Sequence, residues 1–208
     1  MLPFLNKENT VASPGFNRFR LLPVALSIHL CIGQIYAFSV FNEPLTRVLG
    51  VTQSVPGDWK LTQIGWIFSL ALFFLGASAA VFGKWVERVG PRKTMFYSLI
   101  FFGGGFIISA IGIWMHNIWV IYAGSGVCGG IGLGLGYISP VSTLIRWFPD
   151  KPGMATGMAI MGFGGGAMIA SPVSVFLMKL FSTENSVGIA ETFVVLGIVY
   201  ALIMLYGV

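Results

Sequence analysis

Apolar residues along this chain gather into six runs, 21–41, 61–82, 94–115, 118–143, 154–177 and 192–208, separated by polar connections. None of the six contains Lys, Arg, Asp or Glu. Each has about the twenty residues that cross roughly 30 Å of hydrocarbon as a helix. Backbone N–H and C=O groups have no water partner there, so the runs are predicted to be helices. A barrel would need shorter strands alternating polar and apolar residues, a pattern this chain lacks. The fold class expected is an all-α integral membrane protein: a tail over residues 1–20, then a bundle of six transmembrane helices over residues 21–208.

Composition agrees with that reading. Only 9% of the residues are charged and 56% are hydrophobic, whereas a soluble domain carries about 25% charged residues. The formal charge of +5 does not point to nucleic acid, because the basic residues sit between apolar runs instead of lining one face. That placement suits a lipid bilayer as partner and sets topology. Lys7, Arg18, Arg20, Lys84, Arg88, Arg92, Lys93, Arg146 and Lys151 fall on one side, against Arg47, Lys60 and Lys179 on the other. The amino terminus is therefore expected in the cytoplasm of a multi-pass cell-membrane protein. Cys31 and Cys128 lie inside apolar runs, where cysteine acts as a small hydrophobe. No disulfide, metal site or cofactor is inferred.

Two connections carry the most specific patterns. The first is Gly83-Lys84-Trp85-Val86-Glu87-Arg88-Val89-Gly90-Pro91-Arg92-Lys93. Its glycines permit a sharp turn and close helix approach, and Glu87 with Arg88 and Arg92 can form charge-assisted hydrogen bonds across a helix interface. The second, Arg146 to Gly157, holds Asp150 together with Pro149 and Pro152, which forbid a continuous helix. Span four contains Gly124-Ser-Gly-Val-Cys-Gly-Gly-Ile-Gly-Leu-Gly-Leu-Gly136. With no preceding strand and no acidic residue after it, this is a small-residue packing face and not a dinucleotide loop. Gly162-Phe-Gly-Gly-Gly166 reads the same way.

Polar groups inside the spans are few. His29, Gly33, Tyr36 and Val40 share one face of an ideal helix, and intramembrane ionisable groups usually face a bundle interior or a wet cavity. His29 is thus a candidate proton-sensitive group and Tyr36 a donor to an anion. Gln34 lies roughly 200° from Tyr36 in helical phase. Tyr137 and Ser139, beside the helix-distorting Pro140, form a second polar spot.

The first loop resembles the signature Gly-x-x-x-Asp-Arg-x-Gly-Arg-Arg/Lys-Arg/Lys of the major facilitator superfamily, with Glu87 in place of Asp and Pro91 in place of Arg. The second resembles the Arg-Trp-Phe-Pro-Asp segment of its carboxylate transporters. With GlyGlnIleTyr at 33–36 and GlyLeuGlyTyrIleSerPro at 134–140, the chain resembles the oxalate/formate antiporter family from about Leu21 to Leu177. The resemblance implies one six-helix half of a secondary transporter for a small organic anion, working by alternating access. It places Tyr36 and Tyr137 near the substrate, with Gln34, His29 and Ser139 as further candidates. Gly83, Glu87, Arg88, Gly90, Arg92, Lys93, Arg146 and Asp150 become a cytoplasmic gating latch. It also assigns the basic substrate ligands to a carboxy-terminal half. No basic segment follows the sixth run, so the expectation is an amino-terminal half that needs a missing carboxy-terminal half or a second subunit.

No catalytic residue is assigned. An intramembrane serine protease needs a His base near its Ser, yet no His follows His116. The paired Asn-Pro-Ala motifs of aquaporin-like channels are missing as well. The remaining alternatives are a non-transporting or regulatory half and a six-helix subunit that acts as a dimer. Exchange and proton-coupled transport stay open.

Overall fold

The structure, a computed structural model, describes residues 3–208. Six helices are long and apolar enough to cross a membrane: α1 (Arg18–Leu45), α2 (Leu61–Val89), α3 (Pro91–Trp114), α4 (Ile118–Trp147), α5 (Pro152–Phe181) and α6 (Ile189–Tyr206). Every predicted run is helical, and each helix reaches beyond its run at one end or both. Among the described residues there is no strand, only a bridge between Thr183 and Ser186.

α3 packs against α6 and α4, α4 also against α2, and α1 lies on α5 while touching α4 and α6. In α1, 61% of the apolar window is buried, against 22% in α2 and in α5. α1 is therefore central, and α2 and α5 turn most of their apolar surface outward. Lipid tails are as apolar as side chains, so close van der Waals approach holds such a bundle together. At the α1–α5 crossing the backbones meet at glycine: a Cβ on Gly166 would stand 2.8 Å from Gly33 Cα. The glycine face of α4 does the same, since a Cβ on Gly124 would stand 2.7 Å from Gly105 O of α3. Between α1, α3 and α6 the core is aromatic. Phe193 lies 4.8 Å from Phe41 and 5.3 Å from Phe106, ring centre to ring centre.

Two helices are irregular. α1 is α-helical through Ile32 and winds as a 3₁₀-helix from Gly33 to Phe41. α4 widens into a π-helix from Tyr122 to Cys128 before resuming as α-helix.

The expected loop between spans two and three shrinks to one residue. α2 stays helical to Val89, Gly90 reverses the chain at φ 88°, and Pro91 opens α3. That φ suits glycine, and proline fits a helix's first position because its missing N–H would be unbonded there. Gly83 is helical with open space around it, so it serves neither a turn nor a close approach. The bundle thus has a basic end, with the tail and the α2–α3 and α4–α5 connections, and a far end with the other three connections.

Candidate functional site

Four rings link α1, α4 and α5 in a row. Tyr36 lies 5.0 Å from Phe163, Phe163 5.3 Å from Tyr137, and Tyr137 5.7 Å from His29, measured between ring centres. Burial falls along the row: His29 is fully buried while Tyr36 is 49% exposed. The α1–α5 glycine crossing seats His29 closely, because a Cβ on Gly162 would stand 2.8 Å from His29 Cβ. His29 Nδ1 is 2.8 Å from Ala25 O. A carbonyl only accepts, so Nδ1 carries the hydrogen and Nε2 is the free position. Nε2 is buried and without a hydrogen-bond partner. The row therefore offers two phenols and one imidazole nitrogen within apolar runs that hold no Lys, Arg, Asp or Glu.

The structure brings His29, Tyr36 and Tyr137 together and sets the other two candidates apart. Gln34 is 1% exposed, and its Oε1 accepts from Tyr200 Oη at 2.8 Å. It belongs to the α1–α6 interior. Ser139 is buried with its Oγ 3.5 Å from Pro91 O, in the α3–α4 contact at the basic end. Phe163 and Tyr200 were missed by the sequence reading. Phe163 is the one aromatic in the glycine run of α5, a signal by which it could have been found.

The latch candidates pair differently from their order in the chain. Glu87 Oε1 accepts from Arg146 Nη2 at 2.8 Å, joining α2 to α4. Asp150 accepts from Arg18 with both oxygens, at 2.6 and 2.8 Å, which ties the α4–α5 connection to the start of α1. The Arg18 guanidinium also lies 4.8 Å from the Phe148 ring. These hydrogen bonds, with the nearby Lys151 charge, hold the Asp150 carboxyl below its ordinary pKa. Lys7 Nζ donates to Glu87 O at 2.8 Å, so the tail folds onto the same end. Arg92 reaches Phe4 O at 3.5 Å. Gly90 makes the turn, while Arg88, Arg92 and Lys93 surround it.

Comparison with known proteins identifies the family. Residues 24–208 match the family model of the Major Facilitator Superfamily. The chain is 28% identical over 195 residues to an uncharacterized MFS-type transporter, YhjX, of Escherichia coli, covering 93% of this chain and 44% of that one. It is 25% identical over 207 residues to the oxalate:formate antiporter of Oxalobacter formigenes, covering 97% and 44%. Apicoplast pyruvate carrier 1 of Toxoplasma gondii is 27% identical over 136 residues, 64% of this chain and 24% of the carrier. The chain thus spans less than half the length of these relatives.

Proposed function

This chain belongs to the major facilitator superfamily, and we propose that it forms the amino-terminal six-helix half of a secondary transporter for a small organic anion. The observation that carries the reading is the row of Tyr36, Phe163, Tyr137 and His29 where α1, α4 and α5 meet. Phenol O–H groups donate to carboxylates, and Tyr36 is exposed enough to receive one. The names of two relatives, an oxalate:formate antiporter and a pyruvate carrier, support a mono- or dicarboxylate as the substrate class. The distribution of Lys and Arg supports a cytoplasmic basic end in the cell membrane.

An anion entering a low-dielectric site needs compensation, because an unpaired ion there is very costly. The apolar runs of this half hold no Lys or Arg. The compensating charge therefore comes from a second half, or from a proton taken up by His29 Nε2. In the first case the chain alone is a non-transporting half. A six-helix subunit that pairs with its own copy is the other reading the exposed Tyr36 face supports.

Counterflow of radiolabelled oxalate, formate, lactate and pyruvate into proteoliposomes tests the proposal, using this chain alone and any longer product that contains it. Saturable exchange by the longer product only is the expected result. Exchange by the short chain would place two copies around one site, and exchange by neither would remove the transport reading. In the active form, Tyr36→Phe or Tyr137→Phe each removes one hydrogen bond to an ion, about 1.5–3 kcal/mol. The expected outcome is an apparent affinity weakened by about tenfold or more, with folding unchanged.

A further inference from the structure

At its basic end the bundle holds a cavity of about 540 Å³ between α1, the start of α3, the end of α4 and the last residues of α6, with tail residues 10–13 as a further wall. On α1 the lining runs from Leu21, where the apolar run begins, to Ile28. Seven residues of helix rise about 10 Å, so the cavity reaches from the polar boundary well into the apolar span. Val24, Ile28, Met95 and Leu144 make its inner walls apolar. Of the hydroxyls on the lining, Thr10 Oγ1 donates to Lys7 O at 2.6 Å and Thr143 Oγ1 to Ser139 O at 2.8 Å. Ordered water needs about two to four polar partners. The inner walls do not supply them, so the space suits an apolar chain better than water.

The mouth has different chemistry. Arg92, the second residue of α3, lines the cavity and carries a permanent positive charge. Trp147 lines it too, and tryptophan favours the boundary between membrane and water. Among the described residues no Asp or Glu lies on the lining. The tail crosses this end between two anchors: Lys7 Nζ donates to Glu87 O at 2.8 Å, and Arg18 binds Asp150 at 2.6 Å. Between them Val11 is extended, with φ −75° and ψ 123°, so this stretch spans the cavity instead of filling it.

The cavity has the dimensions of a ligand site, and basic pockets between membrane helices hold anionic headgroups. We propose that it seats one acyl chain of an anionic phospholipid beneath the tail, with the chain against Ile28 and the phosphate beside Arg92. The bound lipid joins the tail to α1, α3 and α4. The proposal rests on the basic end lying at a membrane surface and not on transport, so the counterflow result leaves it untouched.

Thermal unfolding of the delipidated protein in detergent, titrated with phosphatidylglycerol, tests this, with phosphatidylcholine, oleate and inorganic phosphate as the other arms. A saturable rise in thermal midpoint with phosphatidylglycerol is expected, and a clearly smaller response to each of the others. Arg92→Gln should weaken phosphatidylglycerol binding by about tenfold or more, and Val24→Trp, which fills the cavity, should abolish it. Lys151→Gln removes a charge from the same end but not from the lining, and should change binding far less. Should Val24→Trp not fold, phosphatidylglycerol with brominated acyl chains reads the site in the unaltered protein. It should quench Trp147 saturably, and Trp147→Phe should remove that component. An equal response to phosphatidylcholine or to inorganic phosphate, unchanged affinity in folded Arg92→Gln or Val24→Trp, an equal loss in Lys151→Gln, or no saturable quenching overturns the proposal. A stronger response to oleate also overturns it, by assigning the cavity to free fatty acids.

Discussion

The two ends of the bundle are fastened by different chemistry. At the basic end, charged side chains on separate elements grip one another: Glu87 with Arg146, and Arg18 with Asp150. At the far end, the Trp114–Glu191 bond aside, side chains grip backbone. Asp58 accepts from Leu49 N and Val55 N, His116 donates to Gly57 O, and Tyr122 Oη donates to Gln63 O at 2.7 Å. Exposed ion pairs contribute little net stability and weaken with salt. Bonds to backbone amides shape the chain locally and have no ready substitute. The ion pairs of the basic end are thus the more salt-sensitive contacts, and the backbone bonds of the far end the less.

Four predictions test this contrast, from the largest expected effect to the smallest. Gly90→Val places a β-branched residue at φ 88° and ψ 169°, a region essentially confined to glycine and costing of order 1–3 kcal/mol for other residues. A lowered thermal midpoint would check it, and an unchanged one would show that the α2–α3 turn relaxes freely. Asp58→Ala leaves two amides without their acceptor, and about 1–2 kcal/mol is expected after allowance for partial exposure. Faster hydrogen exchange at Leu49 and Val55, with no change at the basic end, is the matching readout.

Acid is the third. Burial raises the Asp58 carboxyl, but hydrogen bonds from the Val55 and Leu49 amides outweigh it, and the pKa lies below the ordinary value. Asp150 is lowered as well, by Arg18. A depressed carboxylate contributes stability above its unfolded pKa, near 3.9, and loses it as pH falls through the folded value. Neither clasp should therefore change between about pH 5 and 8, and both should loosen only in acid. A fall in thermal midpoint already at pH 6 would contradict this. Smallest is Glu87→Gln, expected to cost less than about 1 kcal/mol. Raising salt from 0.15 to 1 M shortens the screening length from about 8 to 3 Å. Crosslinking between cysteines introduced at Gly83 and Ser142, one turn from Glu87 and Arg146 so that the ion pair stays intact, should fall with salt, while a similar pair at the far end should not respond.

The sequence revealed the six helices because a bilayer demands long uncharged runs and tolerates no other backbone solution here. The glycine faces were legible for a related reason: glycines spaced along one helix face let another backbone come close. Pairing across the basic end was not. Reading along the chain puts Glu87 beside Arg88 and Arg92, whereas the fold gives it Arg146, 59 residues away. The tyrosine row was only partly legible. An ideal α-helical wheel puts His29 and Tyr36 on one face, but from Gly33 onward α1 winds at 120° per residue instead of 100°, so the phase drifts by roughly 60° over three residues. The drift leaves His29 buried and Tyr36 outward. His116 gave no local sign of its packing, because its partners Gly57 and Trp59 are distant in sequence.

The π-helix of α4 stores length. A single wide turn absorbs an added residue without rotating the helix beyond it, so the stretch Tyr122–Cys128 works as slack in an otherwise rigid rod. Removing one residue from this stretch should let α4 rewind as plain α-helix with Tyr137 still aimed at Phe163. Removing one between Gly129 and Tyr137 should swing the phenol by about 100° out of the row. The same slack, wound in or let out, would turn the Tyr137 segment relative to the Trp119 end with no loop having to move.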